Sequence, residues 1–300
     1  MLFKAAAAAA IVATGVAAQR PSNTTMCDYY TTALLTNNTA ANQMTLLTLV
    51  VNTAVIDTTP NVGVKVNGIL NPGMVNETAV NLLPYFNGQL ASSNRGGVGR
   101  SVNFLDGGGA APLEKNMPAN STTSNQYTLL THLYEYFGVL LGCSMQGGSD
   151  YPAYTGHASM YSVHEFMDLS YAEVTYFIEQ VGLSAASFGV TADDVTAVGE
   201  ALEMYFDVRC GPETTIIPSQ GAQLQSICID STCPLAANST CSSYNATMMP
   251  SNATASSSVS ATSSMSAATG TSTGAVSTGA AAAVGMSFAA IAAGAAALFL

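Results

Sequence analysis

The chain has no tryptophan and little positive charge. Seven Lys and Arg stand against 18 Asp and Glu, the formal net charge is −11, and there are only three histidines. Without a Lys/Arg cluster the chain lacks the electrostatic footprint that nucleic acid or an anionic membrane surface requires. No Gly-x-Ser-x-Gly turn occurs, and three histidines supply no recognisable Ser/His/Asp set, which argues against a hydrolase. Glu165 and Asp168 beside His164 read as solvated helix residues, and Asp193-Asp194 as partners of a helix dipole. Cys228-x4-Cys233-x7-Cys241 has no histidine beside it and is not a zinc pattern. The GGVG and GGG runs miss the spacing of a phosphate-binding loop.

The two ends carry the clearest signals. Met1 to Lys4 is a basic start, Ala5 to Val16 is uncharged and apolar, and Val16-Ala17-Ala18 is a small-x-small cleavage site. Residues 1–18 therefore read as a secretory signal peptide, too short an apolar run to span a bilayer. At the other end Ala280 to Leu300 is uncharged and closes the chain, behind a small polar spacer at Thr269 to Gly279. That combination is the signal for a GPI anchor, attached within Ser266 to Gly274, with residues 280–300 removed. Sequons at Asn23, Asn37, Asn76, Asn120, Asn238, Asn245 and Asn252 add N-glycosylation. Six cysteines (Cys27, Cys143, Cys210, Cys228, Cys233 and Cys241) imply up to three disulfides in an oxidising compartment, with the pairing open. The expected location is the extracellular surface, plasma membrane or cell wall. The expected partners are the membrane, through a GPI lipid, and cell-wall polysaccharide.

Between these ends the sequence divides into residues 27–218, a folded domain, 219–241, a Cys-rich tail, and 242–279, a Ser/Thr/Ala-rich stalk with nothing to bury. Helical periodicity dominates the folded part. A helix is expected across Asn38 to Ile56, and a short apolar turn at Leu82 to Gly88. Residues 89–125 are rich in Gly, Ser and Asn and read as a long loop insertion. Gln126 to Leu141 is helical, with Leu129, His132, Leu133, Tyr136, Phe137 and Leu140 on one face. Ala158 to Phe166 is a second short helix. Ser170 with Glu173 forms a capping box, and Thr191 repeats the start signal. The expected class is all-α.

The order of these motifs resembles the truncated haemoglobins. Tyr85-Phe86-Asn87-Gly88 is similar to that family's turn after the second helix. Leu129 to Leu141-Gly142 matches its distal helix, and Gly147-Gly148 and Tyr154-Thr155-Gly156 its following loop. Met160-x-x-Val163-His164 matches its proximal-histidine helix, and Leu169-Ser170 and Gly189-Val190 its later helix starts. The resemblance spans roughly Thr39 to Val208. It implies haem as cofactor, with His164 as the iron ligand. Phe86, Tyr154 and Met160 would lie against the macrocycle, Leu129, Leu133 and Phe137 would line the distal side, and a diatomic gas would be the ligand. Haem iron takes an imidazole on one face while apolar side chains cover the porphyrin, which suits a histidine set among Met, Val and Phe. His132 adjoins the distal face as an exposed residue, and His157 reads as a solvated loop residue.

Departures from the family pattern are specific. The chain is secreted and carries cysteines, and it has the 89–125 insertion. Leu49-Val50-Val51 stands where many members place an oxygen-binding tyrosine, so bound oxygen would gain little stabilisation. The alternative expectation is a surface glycoprotein that uses the same helices as a scaffold without haem.

Overall fold

The computed structural model describes residues 19–56 and 63–251. The signal peptide, the anchor tail, Asn252 and most of the stalk lie outside the described residues. In chain order the elements are α1 (Met26–Leu35), α2 (Ala40–Val55), β1 (Gly73–Val75), β2 (Thr78–Val80), α3 (Leu83–Phe86) and β3 (Asn87–Asn94). They continue with β4 (Gly99–Asn103), α4 (Ala110–Leu113), α5 (Asn125–Leu140), α6 (Met160–His164), α7 (Tyr171–Ser187) and α8 (Ala192–Phe206).

Six of the helices begin at a Ser or Thr. The hydroxyls of Thr25, Thr39, Ser124, Ser159, Ser170 and Thr191 accept from the backbone N–H three residues on. Each cap satisfies a donor the helix itself leaves open and stabilises by about 1 kcal/mol. At α7 the expected capping box is complete, because Glu173 Oε2 also accepts from the Ser170 backbone N–H at 2.9 Å. α2 lies in the middle and packs on α1, α5 and α7, and α7 packs on α8. Leu47, Val174 and Leu202, each 1% exposed, mark the centre of that core.

The all-α expectation is wrong. The described residues hold eight helices and two small antiparallel sheets, so the fold is mixed α/β. β1 and β2 pair with Val75 opposite Thr78, around Asn76 and Glu77, both at positive φ. Such a two-residue turn matches the natural twist of a hairpin. β3 and β4 pair with Asn94 opposite Gly99, turning at Gly96 and Gly97, whose positive φ suits residues without a Cβ. The 89–125 segment is therefore a hairpin followed by α4, rather than a loop. Asp106 ties its far end to α5 by accepting from the backbone N–H groups of Asn125 and Gln126.

Three disulfides close the domain: Cys27–Cys143, Cys210–Cys241 and Cys228–Cys233. Cys27–Cys143 fastens α1 to the end of α5. The other two hold residues 210–241, whose Ile227 and Cys228 N–H groups both donate to the Phe206 carbonyl. Residues 242–251, assigned to the stalk by composition, lie against the domain. Tyr244 packs edge-on against Tyr161 with ring centroids 4.5 Å apart, and the Ala91 N–H donates to the Ser251 carbonyl at 3.0 Å.

Candidate functional site

α6 is one turn long and is held on two sides. Asn94 of β3 donates to the Ser162 carbonyl at 2.8 Å and to Glu165 Oε1 at 2.6 Å. Phe166 packs over Gly99 of β4 so closely that a Cβ there would meet its ring at 2.8 Å. On the second side Tyr161 meets Tyr244, and Asn245 donates to Glu165 Oε2 at 3.0 Å. By helical spacing, the face these partners leave carries Met160, Val163 and His164, all half-buried.

His164 is fixed by its own helix. Its Nδ1 lies 2.7 Å from the Met160 carbonyl, which makes Nδ1–H the donor and leaves Nε2 as the lone-pair nitrogen. Nε2 has no hydrogen-bond partner among the described residues. Desolvation pushes the imidazole pKa down, against the Met160 carbonyl, which pushes it up. The ring is thus held neutral, in one tautomer and with one free nitrogen, the state a metal-ligating histidine needs.

The other residues expected at a haem are distributed as follows. Leu133 and Phe137 line an apolar cavity of about 60 Å³ with Leu47 and Val51 of α2 and Phe177 and Val181 of α7. Phe86, Leu133, Tyr154 and Met160 are half-buried around the same core, and Leu129 is half-buried on α5. Tyr154 turns toward α5, its ring 5.3 Å from Tyr136 and 5.7 Å from His132, and its hydroxyl donates to the His157 carbonyl. His164 does not line the cavity under Leu133 and Phe137. The structure therefore brings Leu133 and Phe137 together, and places Tyr154 in the loop before α6 with its ring against α5, and His164 on α6. His157 is exposed, as expected. His132 is half-buried rather than exposed, and desolvation pushes its pKa down.

A buried haem requires a fixed imidazole with a free nitrogen and a gap between the two helices that would flank it. α6 packs on β3, whereas α5 packs on α2 and touches β4, and no comparable contact joins α5 to α6. The orientation of His164 and the half-buried apolar side chains on both helices are the features such a group would use. The cavity under Leu133 and Phe137 is itself too small for a porphyrin, since pockets for ligands of drug size run to roughly 300–1,000 Å³. Among the described residues no group of three or more His, Cys, Asp or Glu is placed to hold a metal ion.

Sequence reasoning missed one functional candidate. Glu135 lies mid-way along α5, between Tyr134 and Tyr136, and is only 8% exposed. Burial raises its carboxyl pKa to about 7, opposed by the Thr155 backbone N–H, and its Oε2 has no hydrogen-bond partner. A glutamate inside a stripe of aromatic residues is the only trace of this in the sequence.

Compared with known proteins, the chain matches no family model, no curated protein and no solved structure. The three disulfides are those of a chain that folds in an oxidising compartment, consistent with a secreted protein. Among the described residues no helix is long and apolar enough to cross a membrane.

Proposed function

We propose that this chain is a secreted, GPI-anchored surface glycoprotein of truncated-globin type that binds haem through His164. The observation that carries the reading is the orientation of His164. A neutral imidazole, tied through Nδ1 to the carbonyl four residues back, keeps an unpartnered Nε2 in a desolvated setting. Met160, Phe86 and Tyr154 would cover the porphyrin, with Leu129, Leu133 and Phe137 on the distal side. When bound, haem supplies a redox-active iron for a diatomic gas, nitric oxide or peroxide. His164 would supply an imidazole ligand, and Leu129, Leu133 and Phe137 an apolar wall with no strong donor, which favours ligands that need no hydrogen bond.

The test is an absorption titration of the secreted, glycosylated chain with haemin, in oxidised and reduced states. Stoichiometric uptake with a Soret band, abolished by His164→Ala in a protein that still melts cooperatively, is the expected result. No uptake in either redox state overturns the reading. The anchor has its own test: phosphatidylinositol-specific phospholipase C releases the protein from cells that display it.

A second reading is a glycoprotein head without haem. It is favoured by the tight packing of α6 on two sides, and by six sequon asparagines (23, 37, 76, 120, 238 and 245) that are all exposed. It predicts that His164→Ala changes neither spectrum nor surface phenotype.

A further inference from the structure

An open cleft of about 480 Å³, which His164 does not line, lies between α5 and residues 149–155. Its size is that of a small-molecule site. What faces into it is one-sided in charge: Glu135 and Asp150 are carboxylates, and the rest of the polar lining is neutral hydroxyls and one imidazole. The Thr131 hydroxyl donates its proton to the Tyr127 carbonyl at 2.8 Å, and Thr128 donates to the Ser124 carbonyl at 3.4 Å. Both hydroxyl oxygens therefore offer lone pairs to the cleft. Asp150 on the rim adds a carboxylate, and no Lys or Arg lines the site.

Glu135 is the residue that demands a partner. It lines the cleft, is more than nine-tenths buried, and keeps one carboxylate oxygen without a donor. Three nearby donors are committed elsewhere. Tyr151 donates its hydroxyl to the Tyr134 carbonyl and Tyr154 to that of His157, both at 2.7 Å. Gln146 uses its amide on the carbonyls of Glu135 and Pro152. A buried acceptor left unsatisfied costs free energy that a ligand donor recovers, most of all a charged one.

We propose that this cleft binds a small organic ammonium ion, with the amine paired to Glu135 and its remaining donors received by the Thr128 and Thr131 hydroxyls and Asp150. Amino sugars and polyamines share this chemistry. An anionic ligand does not fit walls that carry two carboxylates and no Lys or Arg. The cleft shares no lining residue with the set proposed to hold haem.

The test is calorimetry on the secreted, glycosylated chain at low ionic strength, with three probes: a glucosamine trimer, spermidine, and the N-acetylated trimer. Binding of a free-amine probe is expected, weakened at least tenfold by Glu135→Gln and less by Asp150→Asn, while His164→Ala leaves it unchanged. Whether the trimer or spermidine binds tighter identifies the source of the ammonium. Equal binding of the N-acetylated trimer overturns the proposal. So does ammonium binding that is untouched by both carboxylate variants, which reflects only the acidic surface, and so does the absence of binding. Thermal melts of each variant confirm that the fold is kept. If Glu135→Gln fails to fold, Thr131→Val carries the same test from the cleft wall.

Discussion

The two sides of α5 are built to opposite rules. Toward α2 and α7, Leu133 and Phe137 close on an apolar cavity of about 60 Å³. Toward residues 149–155 the same helix meets an open cleft of about 480 Å³ walled by hydroxyls and carboxylates. The first side gains stability by excluding water from packed carbon. The second gives up stability by holding Glu135 where its charge is poorly solvated. A helix of 16 residues thus serves as a structural wall on one side and a recognition surface on the other.

The largest effect that would break the dry side is loss of Cys27–Cys143. Cys27 lines the cavity, and the bond closes a loop across a sequence separation of 116. Replacing both cysteines with Ser should cost about 5 kcal/mol by loop entropy, read as a lower urea midpoint. Removing Cys228–Cys233, with a separation of 5, should cost only about 2 kcal/mol on the same grounds.

On the wet side Glu135→Gln should stabilise the fold, and only in a defined pH range. The folded carboxyl titrates near 7 against an ordinary 4.5, so its proton is held more tightly in the folded state. The wild type therefore loses stability as pH rises through 4.5 toward 7, and above 7 carries the whole penalty, up to about 3 kcal/mol. Melting curves of wild type and variant should coincide at pH 4 and diverge by pH 8. A constant offset across that range would mean that the glutamate charge is not what is being strained. Asp207, buried near Glu203 and raised to about 8, should behave likewise in Asp207→Asn.

Gly138→Ala tests the seam between the sides. Alanine ordinarily favours a helix interior by about 1 kcal/mol over glycine. Here its Cβ would overlap the Tyr151 hydroxyl, so a net loss of about 2 kcal/mol in chemical denaturation is expected. The smallest effect sharpens the contrast. Val181→Ile adds one methylene into the dry cavity and should raise stability by up to about 0.8 kcal/mol. Exchanging a hydroxyl for a methyl on the cleft side, as Thr128→Val, should bring no such gain, because that wall stays wet.

Legibility in the sequence followed local chemistry. The starts of α7 and α8 were readable because Ser170-x-x-Glu173 and Thr191-x-x-Asp194 state their caps within four residues. α2 and α5 were readable from periodicity, but the buried face of α5 was not fully so. Leu130 and Tyr134 are more buried than Leu129 and Leu133, and the Tyr134 hydroxyl reaches Asn52 of α2, so the buried face is turned from the one the periodicity suggests. The β3–β4 hairpin was illegible for a plain reason. Asn-Gly-Gln-Leu-Ala-Ser-Ser-Asn has no apolar alternation, so its glycines suggested a loop when two of them, Gly96 and Gly97, were making a turn. α1 was missed because Met26 to Leu35 interleaves Asp and Thr with its apolar residues. Among site residues His164 stood out through its motif neighbours, whereas Glu135 did not. Its burial depends on Gln146 and Tyr151 folding a distant segment over it, and no local pattern records that.

The attachment of residues 242–251 has a mechanical consequence. A load drawn through the C-terminus would reach the domain first at the Ser251 carbonyl on β3, then at the Tyr244 ring on Tyr161 of α6. Both contacts are weak in peeling and would yield early. The pull would then stop at Cys241, which is bonded covalently to Cys210 beyond the end of α8. The result is a tether with a slack stage and a hard stop. Tension would unclasp the short helix that carries His164 while leaving the helical core unloaded.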